Sequence, residues 1–292
     1  MKVIVQFSGG KDSTACLLWV RNNITTDFLT VFCDTGFESE ITYKYINQVS
    51  KKLKLNLITI KSKKYADFID LAVNKKRFPS TKARFCTEEL KSKPMIDFVL
   101  DEINDDVLII QGIRKDESFS RSKMAKQCTF FKYYFAPYKI DPKTKKPKFH
   151  SYRKKQIVKF KSQFSDDILR PVFDWSGQQV IDYIIANGLK PNPLYSLGMK
   201  RVGCFPCIMA NHQDIKSMVK YIPERITEIS EYEQALNTSF FPPDKIPKRF
   251  TTNGKYPTMI DVKNYLNNKN ATLDMFKTDH NQSCMSFYGL CE

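Results

Sequence analysis

Long apolar runs are missing from this sequence of 292 residues. No stretch approaches the roughly 20 apolar residues that a membrane-spanning helix requires, so we expect no membrane contact. The N-terminus enters a strand pattern at Val3, without the apolar stretch and cleavage-like site of a signal peptide. The eight cysteines are therefore expected in a reducing cytoplasm, as thiols or metal ligands and not as disulfides.

Acidic residues are also scarce, with 31 Asp and Glu against 47 Lys and Arg, and the formal net charge is +16. Such an excess favours a polyanionic partner, and we expect nucleic acid, either DNA or tRNA. The alternative is a lysine-rich surface that only keeps the protein soluble. The excess is steepest between Lys139 and Lys161, where ten bases accompany one acid, Asp141. Aromatic residues are interleaved there, and we expect this segment near the ligand-binding edge of the fold.

Histidine is rare too, and its three copies show neither metal-ligand spacing nor a neighbouring nucleophile. We expect His150, His212 and His280 to have structural or surface roles. The spacing of the Walker phosphate-binding motif is absent as well.

Short apolar runs alternate with segments of helical periodicity over the first part of the chain. The runs predicted as strands cover residues 3–7, 28–33, 55–60, 107–112 and 168–173. Strands separated by helices require parallel crossovers, so this pattern predicts an α/β fold with a doubly wound, mostly parallel sheet. We assign residues 1–198 to this domain, with a basic insertion at about 126–166, and residues 199–292 to a small C-terminal helical unit that carries cysteines.

The first predicted strand is followed by Ser8-Gly9-Gly10-Lys11-Asp12-Ser13 and then by a helix. Two glycines allow the backbone to turn tightly and to approach a ligand, so that successive N–H groups point at it. The helix start adds the positive end of its dipole, while the two hydroxyls and Lys11 suit phosphate oxygens. A Gly-Gly turn that merely precedes a capped helix is the alternative. The loop predicts a pyrophosphate-binding site.

Charged residues follow two other predicted strands. Arg114 and Lys115 come after the fourth strand, at the carboxyl edge where ligands bind, and are expected to neutralise an α-phosphate. Both could instead be surface bases. Asp12 and Asp34 are acids near the expected polyphosphate, which usually requires Mg²⁺ between them. Alternatively, Asp34 only accepts N–H groups of its own turn.

Further motifs follow the loop in a fixed order. They are Asp34-Thr35-Gly36-Phe37-Glu38; Arg84-Phe85-Cys86-Thr87 with Leu90, Lys91 and Pro94; Gly112-Ile113-Arg114-Lys115-Asp116-Glu117-Ser118; Arg170-Pro171-Val172 with Trp175 and Ile181; and Gly203-Cys204-Phe205-Pro206-Cys207. With these motifs the chain resembles the PP-loop ATP pyrophosphatases and, within them, the phosphoadenosine-phosphosulfate reductase family, from about residue 2 to 207. The resemblance implies an ATP site that includes Asp34 and Gly36.

The branch of the family follows from departures as well as matches. Sulfonucleotide reductases usually lack the intact loop, often carry paired cysteines where Cys86-Thr87 stands, and end in a Glu-Cys-Gly motif that this tail lacks. The chain looks more like the pyrophosphatase of DNA phosphorothioation systems. That resemblance implies adenylation of a target, pyrophosphate release and support of sulfur insertion, with a sulfur-donor protein as a further partner. A sulfonucleotide reductase and a nucleotide-binding subunit with little turnover are the rival interpretations.

Four cysteines form a candidate metal site. Cys204 and Cys207 make a compact two-ligand knuckle, and Cys284 and Cys291 near the terminus would complete a four-thiolate site. Such a site holds zinc or a [4Fe–4S] cluster, and the resemblance favours the cluster. Cys86 is a ligand that displaces Cys284 or Cys291, a sulfur-relaying thiol or a packed residue at a helix start, and a helix N-terminus there would lower its pKa. The candidate catalytic residues are Lys11, Asp12, Cys86 and Arg114.

Overall fold

The structure, a computed structural model, describes residues 1–268. Its strands are β1 (Lys2–Gln6), β2 (Leu29–Cys33), β3 (Asn56–Ile60), β4 (Val107–Ile110), β5 (Gln127–Thr129), β6 (Lys139–Ile140), β7 (Pro147–Lys148) and β8 (Asp166–Leu169). Its helices are α1 (Lys11–Asn23), α2 (Glu40–Leu53), α3 (Phe68–Asn74), α4 (Phe85–Thr87), α5 (Lys93–Glu102), α6 (Phe119–Ser122), α7 (Lys132–Phe135), α8 (Lys154–Lys161), α9 (Gly177–Ala186), α10 (Pro193–Ser196), α11 (His212–Tyr221), α12 (Pro223–Leu236) and α13 (Met259–Asn267).

Six strands form one sheet in the order β3-β2-β1-β4-β8-β5. The five strands from β3 to β8 pair in parallel, and they correspond to the five strands predicted from the sequence. From β1 the chain moves outward to β2, whereas β4 pairs with the other side of β1. The order therefore reverses between β1 and β4, and in such sheets ligands bind at the carboxyl ends of the strands beside the reversal.

Helices cover both faces of the sheet, which confirms the predicted doubly wound α/β class. On one face α5 and α8 pack on the strands, with Met95, Val99 and Ile157 in a core that includes Ile4 and Ile109. Side chains alternate along a strand, so the buried neighbours of Ile4 point to the other face. There α1 contacts β1 and packs against α9.

The basic insertion contributes a strand that the sequence does not predict. β5 pairs antiparallel with β8, with Gln127 opposite Leu169 and Thr129 opposite Asp167. The chain therefore returns across the sheet and leaves β5 at the amino edge, where β8 begins. The expectation that the segment emerges at the ligand-binding edge is wrong, because residues 130–165 start and end at the opposite edge.

The chain divides into two compact units. Unit 1 comprises Met1–Cys33, Gln48–Ile60 and Ser92–Leu189, and unit 2 comprises Asp34–Asn47, Lys61–Lys91 and the chain from Lys190. The predicted boundary at residue 198 stays a prediction. The helical character predicted after residue 199 is confirmed in α11, α12 and α13. Over residues 1–268, no helix is both long and apolar enough to cross a membrane.

Candidate functional site

The loop after β1 has the backbone that its two glycines predict. Gly9 adopts φ +75°, and Gly10 is the extended N-cap of α1. Gly10 has no side chain, so the N-cap residue itself leaves the N–H groups of this first turn uncapped. Ser13 closes the loop, since its hydroxyl accepts a hydrogen bond from the Ser8 N–H at 3.2 Å and donates to the Gly10 carbonyl at 3.0 Å. The loop thus presents its backbone at a helix N-terminus, as an anion site requires.

Gly112 fixes where the loop meets the neighbouring strand. It follows β4, next to β1 at the reversal of the strand order. A methyl group on Gly112 would lie 2.6 Å from the backbone nitrogen of Ser13 and 2.7 Å from the carbonyl carbon of Asp12. Only glycine permits this close approach, so the carboxyl ends of β1 and β4 meet at the loop.

A buried ion pair ties the two strand ends together. Arg114 Nε donates to Asp12 Oδ1 at 2.6 Å, and both side chains are buried. The Lys11 ammonium group lies 3.6 Å from Asp12 Oδ2 and its side chain is fully buried. Three of the four predicted catalytic residues are therefore neighbours. Coordination of Mg²⁺ by Asp12 stays a prediction, because both carboxylate oxygens already face cations.

Lys115 differs from its neighbour Arg114 in that its side chain is exposed to solvent. Its ammonium group pairs with Asp174 at 3.0 Å, with both side chains about half exposed. This is the surface-base alternative for Lys115, whereas Arg114 is directed inward. A phosphate contact by Lys115 stays a prediction.

In unit 2, Asp34 organises its own turn. Its carboxylate accepts hydrogen bonds from the Gly36 N–H at 2.9 Å and the Tyr43 hydroxyl at 2.6 Å, and it pairs with Lys61 at 3.0 Å. Burial acts to raise the pKa of Asp34, but these hydrogen bonds outweigh it and leave the pKa lowered. Gly36 has φ +64° and lies against Asp67. The turn-forming alternative is thus observed, and a nucleotide contact of Asp34 and Gly36 stays a prediction.

The thiol group of unit 2 comprises Cys86, Cys204 and Cys207. Residue Cys204 forms an isolated β-bridge with Glu38, next to a hydrogen bond from the Phe205 N–H to the Phe37 carbonyl at 2.7 Å. The Cys204 sulfur lies 3.7 Å from the Thr35 hydroxyl and 4.0 Å from Glu38 Oε1. The Asp34–Glu38 motif thus holds the first cysteine of the knuckle.

Burial and nearby charges set the pKa values of Cys86 and Cys204. Burial raises the pKa of Cys86, the nearby Cys207 raises it further, and Lys91 acts in the opposite direction. Burial raises the pKa of Cys204 to about 11, against the same lysine. The expectation that a helix start lowers the pKa of Cys86 is wrong, since α4 has only three residues and burial dominates.

A complete metal site is not formed by the described residues. Within residues 1–268, no group of three or more His, Cys, Asp or Glu side chains is arranged to hold a metal ion. Two of the four predicted ligands, Cys284 and Cys291, lie outside the described residues, as does His280. No chemical step is therefore derived through a metal or cluster.

Arg225 is a site residue that the sequence does not reveal. It donates from Nε to the Phe205 carbonyl at 2.7 Å, and its guanidinium lies 4.2 Å from the centre of the Phe37 ring. It thereby braces the knuckle from α12. Its position in a helix with no motif gives no signal, whereas Gly112, Glu38 and Lys91 all stand within motifs.

Comparison with known proteins agrees with this geometry. The family model of the phosphoadenosine phosphosulfate reductase domain matches residues 2–130 and 145–210. An uncharacterized 37.8 kDa protein of Escherichia phage 186 is 30% identical over 300 residues, covering 84% of this chain and 80% of that protein. The uncharacterized protein MJ0066 of Methanocaldococcus jannaschii is 30% identical over 224 residues, which are 76% of this chain and 39% of that protein.

An enzyme of known activity is more distantly similar. The phosphoadenosine 5'-phosphosulfate reductase of Escherichia coli O157:H7 is 23% identical over 192 residues, which are 65% of this chain and 64% of the enzyme. The matched region thus falls short of two thirds of the reductase and is well under half of MJ0066.

Proposed function

Because this chain belongs to the phosphoadenosine phosphosulfate reductase family, we propose that it is a PP-loop ATP pyrophosphatase that adenylates an acceptor. The acceptor is a nucleic acid, and the adenylate prepares it for sulfur insertion from a donor protein. The intact phosphate loop supports the proposal. A reductase of this family acts on an adenylyl compound that is already formed, whereas a phosphate loop suits an enzyme that uses ATP itself.

One observation carries the nucleotide chemistry. The loop after β1 has glycines at its turn and at the N-cap of α1, and it is held against Gly112 where the strand order reverses. Its backbone is therefore suited to receive the β- and γ-phosphates of ATP, with the dipole of α1 behind them.

The reaction follows from holding pyrophosphate there. An acceptor oxygen attacks the α-phosphorus of ATP, and the bond from that phosphorus to the bridging oxygen of the β-phosphate breaks. The released pyrophosphate takes the electron pair of that bond, and the proton of the acceptor passes to solvent. Arg114 is close enough to the loop to stabilise charge on the α-phosphate when ATP binds, as does Mg²⁺ when present.

Titration calorimetry with ATP and Mg²⁺ tests the nucleotide site. We expect Lys11→Ala and Gly9→Val to weaken ATP binding severely, because one removes a cation and the other places a branched side chain at φ +75°. Gly112→Ala should weaken binding by displacing the loop without touching ATP. The control is Lys51→Ala on the exposed side of α2. Unchanged affinity in the variants of Lys11, Gly9 and Gly112, with circular dichroism showing them folded, contradicts the proposal.

The thiols favour one second candidate, a sulfonucleotide reductase. Three cysteines lie in unit 2, where Cys207 contributes to raising the pKa of both Cys86 and Cys204, and a reductase of this kind uses thiol chemistry on an adenylyl sulfate. Pyrophosphate release from ATP identifies the pyrophosphatase, and thiol-dependent sulfite release identifies the reductase. Tight ATP binding without either product identifies a subunit that only binds nucleotide.

A [4Fe–4S] cluster belongs to the same proposal. Cys204 and Cys207 would hold it together with Cys284 and Cys291, and Cys86 is the alternative to Cys284 or Cys291. When bound, such a cluster supplies electron transfer or sulfur ligation.

Iron analysis and absorption spectra of protein made without oxygen test this cluster. We expect brown protein that loses iron in each ligand Cys→Ser variant, with Cys16→Ser as the buried control outside the thiol group. A colourless protein with one zinc per chain would establish the structural zinc site instead. Loss of iron in Cys86→Ser but not in Cys284→Ser would show that Cys86, and not Cys284, is the cluster ligand.

A further inference from the structure

The most basic surface of the chain is built by residues 119–165. This segment contains fourteen Lys or Arg residues and one acid, Asp141. Residues 131–144 fall between the two parts matched by the family model, so the middle of this surface is an addition to the shared domain.

A short β-hairpin, residues 139–148, projects from this segment and is called the basic hairpin below. Lys139 pairs with Lys148 and Ile140 with Pro147. Asp141 shapes its turn, since its carboxylate accepts hydrogen bonds from the N–H groups of Lys143 and Thr144 at 2.9 and 3.0 Å and pairs with Lys148 at 2.7 Å. The single acid of the segment is thus consumed in holding the turn.

The remaining charge of the basic hairpin faces solvent. Lys143, Lys145 and Lys146 are exposed at the turn, and none of the three forms an ion pair within the described part of the chain. Three ammonium groups on a defined turn suit a partner that carries several negative charges at short spacing.

Exposed aromatic rings surround the base of the basic hairpin. Tyr133, Tyr138 and Phe149 are 44%, 46% and 41% exposed. Tyr138 stacks on His150 at 4.6 Å with an interplanar angle of 11°, so this ring is held in place, and Lys154 lies 6.0 Å from the Phe149 ring. Aromatic rings among cations offer a stacking surface next to charges that bind phosphates.

The segment that forms this surface is packed against the rest of unit 1. The Tyr152 hydroxyl donates to Asp97 at 2.9 Å, and Arg153 bridges Asp97 and Asp101 of α5. Ile157 and Phe160 of α8 are buried in the core. Arg153 is therefore an anchor, and the lysines around it are the groups available to a ligand.

We propose that the basic hairpin and the rings at its base bind single-stranded nucleic acid. The lysines contact consecutive phosphates, and the exposed rings stack on unpaired nucleobases. This inference rests on the proposed nucleic-acid acceptor and goes further by assigning the surface and the form of that acceptor.

The pairing of rings with charges selects the single strand. Bases in a duplex are stacked on each other and cannot meet Tyr133, Tyr138 or Phe149 face to face, whereas an unpaired strand offers both phosphates and ring faces. An acidic polypeptide offers charge without flat rings. The chain that builds this surface starts and ends at the edge opposite the phosphate loop. The surface therefore holds a part of the acceptor away from its reacting oxygen and takes no part in binding ATP.

Fluorescence anisotropy with the full-length protein tests the assignment across a salt series. The probes are a labelled 12-nucleotide DNA strand, RNA of the same sequence, the DNA duplex and polyglutamate. The charge variant carries Lys143→Gln, Lys145→Gln and Lys146→Gln. Its matched control carries Lys2→Gln, Lys44→Gln and Lys51→Gln, which remove the same charge from exposed positions elsewhere.

We expect binding to a single strand, weakened at least about tenfold at 0.1 M salt by the charge variant and left nearly unchanged by the control. The slope of log affinity against log salt should fall by about two, since each single-strand contact contributes about 0.7. Tyr138→Leu should weaken binding while Tyr138→Phe retains it. A stronger response to DNA or to RNA identifies which of the two is the acceptor.

Three results overturn the inference: no single-strand binding at low salt, equal losses in the charge variant and its control, or tighter binding of duplex or polyglutamate. Calorimetry with ATP on the same variants separates this failure from that of the proposed function. Normal ATP binding without strand binding contradicts the nucleic-acid surface and leaves the nucleotide site intact. Strand binding without ATP binding contradicts the nucleotide site alone.

Discussion

At the scale of single residues, the pair of Asp12 and Arg114 decides how the phosphate loop is held. Both side chains are buried, and removal of one partner from a buried pair leaves the other charge without its counterpart. We expect Asp12→Ala to lower the free energy of unfolding by about 3 kcal/mol, as measured by urea denaturation. Adding Arg114→Met should recover part of that loss.

The exposed pair of Lys115 and Asp174 is the control for this prediction. Solvent screens it, so Asp174→Ala should change stability little. A similar loss in both alanine variants, or no recovery in the double variant, contradicts a specific role of the buried pair.

The sequence pattern predicts the phosphate loop but not the contacts that hold it in place. Ser8–Ser13 is a local motif, and its turn and helix start depend only on neighbours in sequence. The contact from Arg114 to Asp12 joins residues 102 positions apart, and the Gly112 contact depends on which strand lies beside β1. The role of Arg225 cannot be predicted either, because it depends on a contact with the Phe205 carbonyl, 20 positions away in the sequence.

At the scale of elements, Glu233 connects α12 to the chain after it. Its carboxylate accepts hydrogen bonds from the N–H groups of Phe240 at 2.7 Å and of Met259, the first residue of α13, at 2.8 Å. Burial nevertheless raises the pKa of Glu233 from 4.5 to about 7. Between pH 4.5 and about pH 7, the Glu233 carboxyl therefore keeps its proton in the folded protein but has lost it in the unfolded chain.

Stability should consequently fall as pH rises through this window. The contribution of Glu233 is fully present below about pH 4.5 and is lost by about pH 7, at about 1.4 kcal/mol per pH unit, or about 3 kcal/mol in all. Glu233→Gln cannot ionise, so it should lose less stability than the unsubstituted protein between pH 5 and pH 8 in urea titrations. Glu231→Gln, an exposed neighbour, should follow the unsubstituted protein. Parallel curves for Glu233→Gln would assign the pH dependence to another group.

Most elements are predictable because their signals are local. β1, β2 and β4 are β-branched or apolar runs with buried side chains, whereas β3 is only partly buried and β8 begins with two aspartates. β5 escapes prediction because it has only three residues, Gln-Cys-Thr, and becomes a strand only by pairing with β8. That one antiparallel strand also moves the basic segment to the other edge, so its position could not be read from the order of elements.

At the scale of the whole molecule, unit 2 is closed by residues far apart in sequence. Phe240 lies 5.2 Å from Phe78, 6.3 Å from Phe68 and 6.4 Å from Phe37, measured between ring centres. We expect Phe240→Ala to cost about 3–5 kcal/mol, because it leaves a cavity in this cluster. Hydrogen exchange should show lost protection in Asp34–Asn47 and Lys61–Lys91, with β1 and β4 still protected.

Phe119→Ala is the control for that substitution, since its ring is 76% exposed and should leave exchange unchanged. Uniform loss of protection over both units in Phe240→Ala would mean that they unfold together. The exchange experiment thereby measures whether the two units are independent in stability.

The interleaving of the two units has a consequence for synthesis. The chain passes between them five times, and Phe37 must meet Phe240, which is made about 200 residues later. At about 5–20 residues per second, the ribosome needs roughly 10–40 seconds to deliver that partner. Until Phe240 emerges, the rings of Phe37, Phe68 and Phe78 lack its cover, and the apolar surface exposed in that interval makes the nascent chain prone to aggregation.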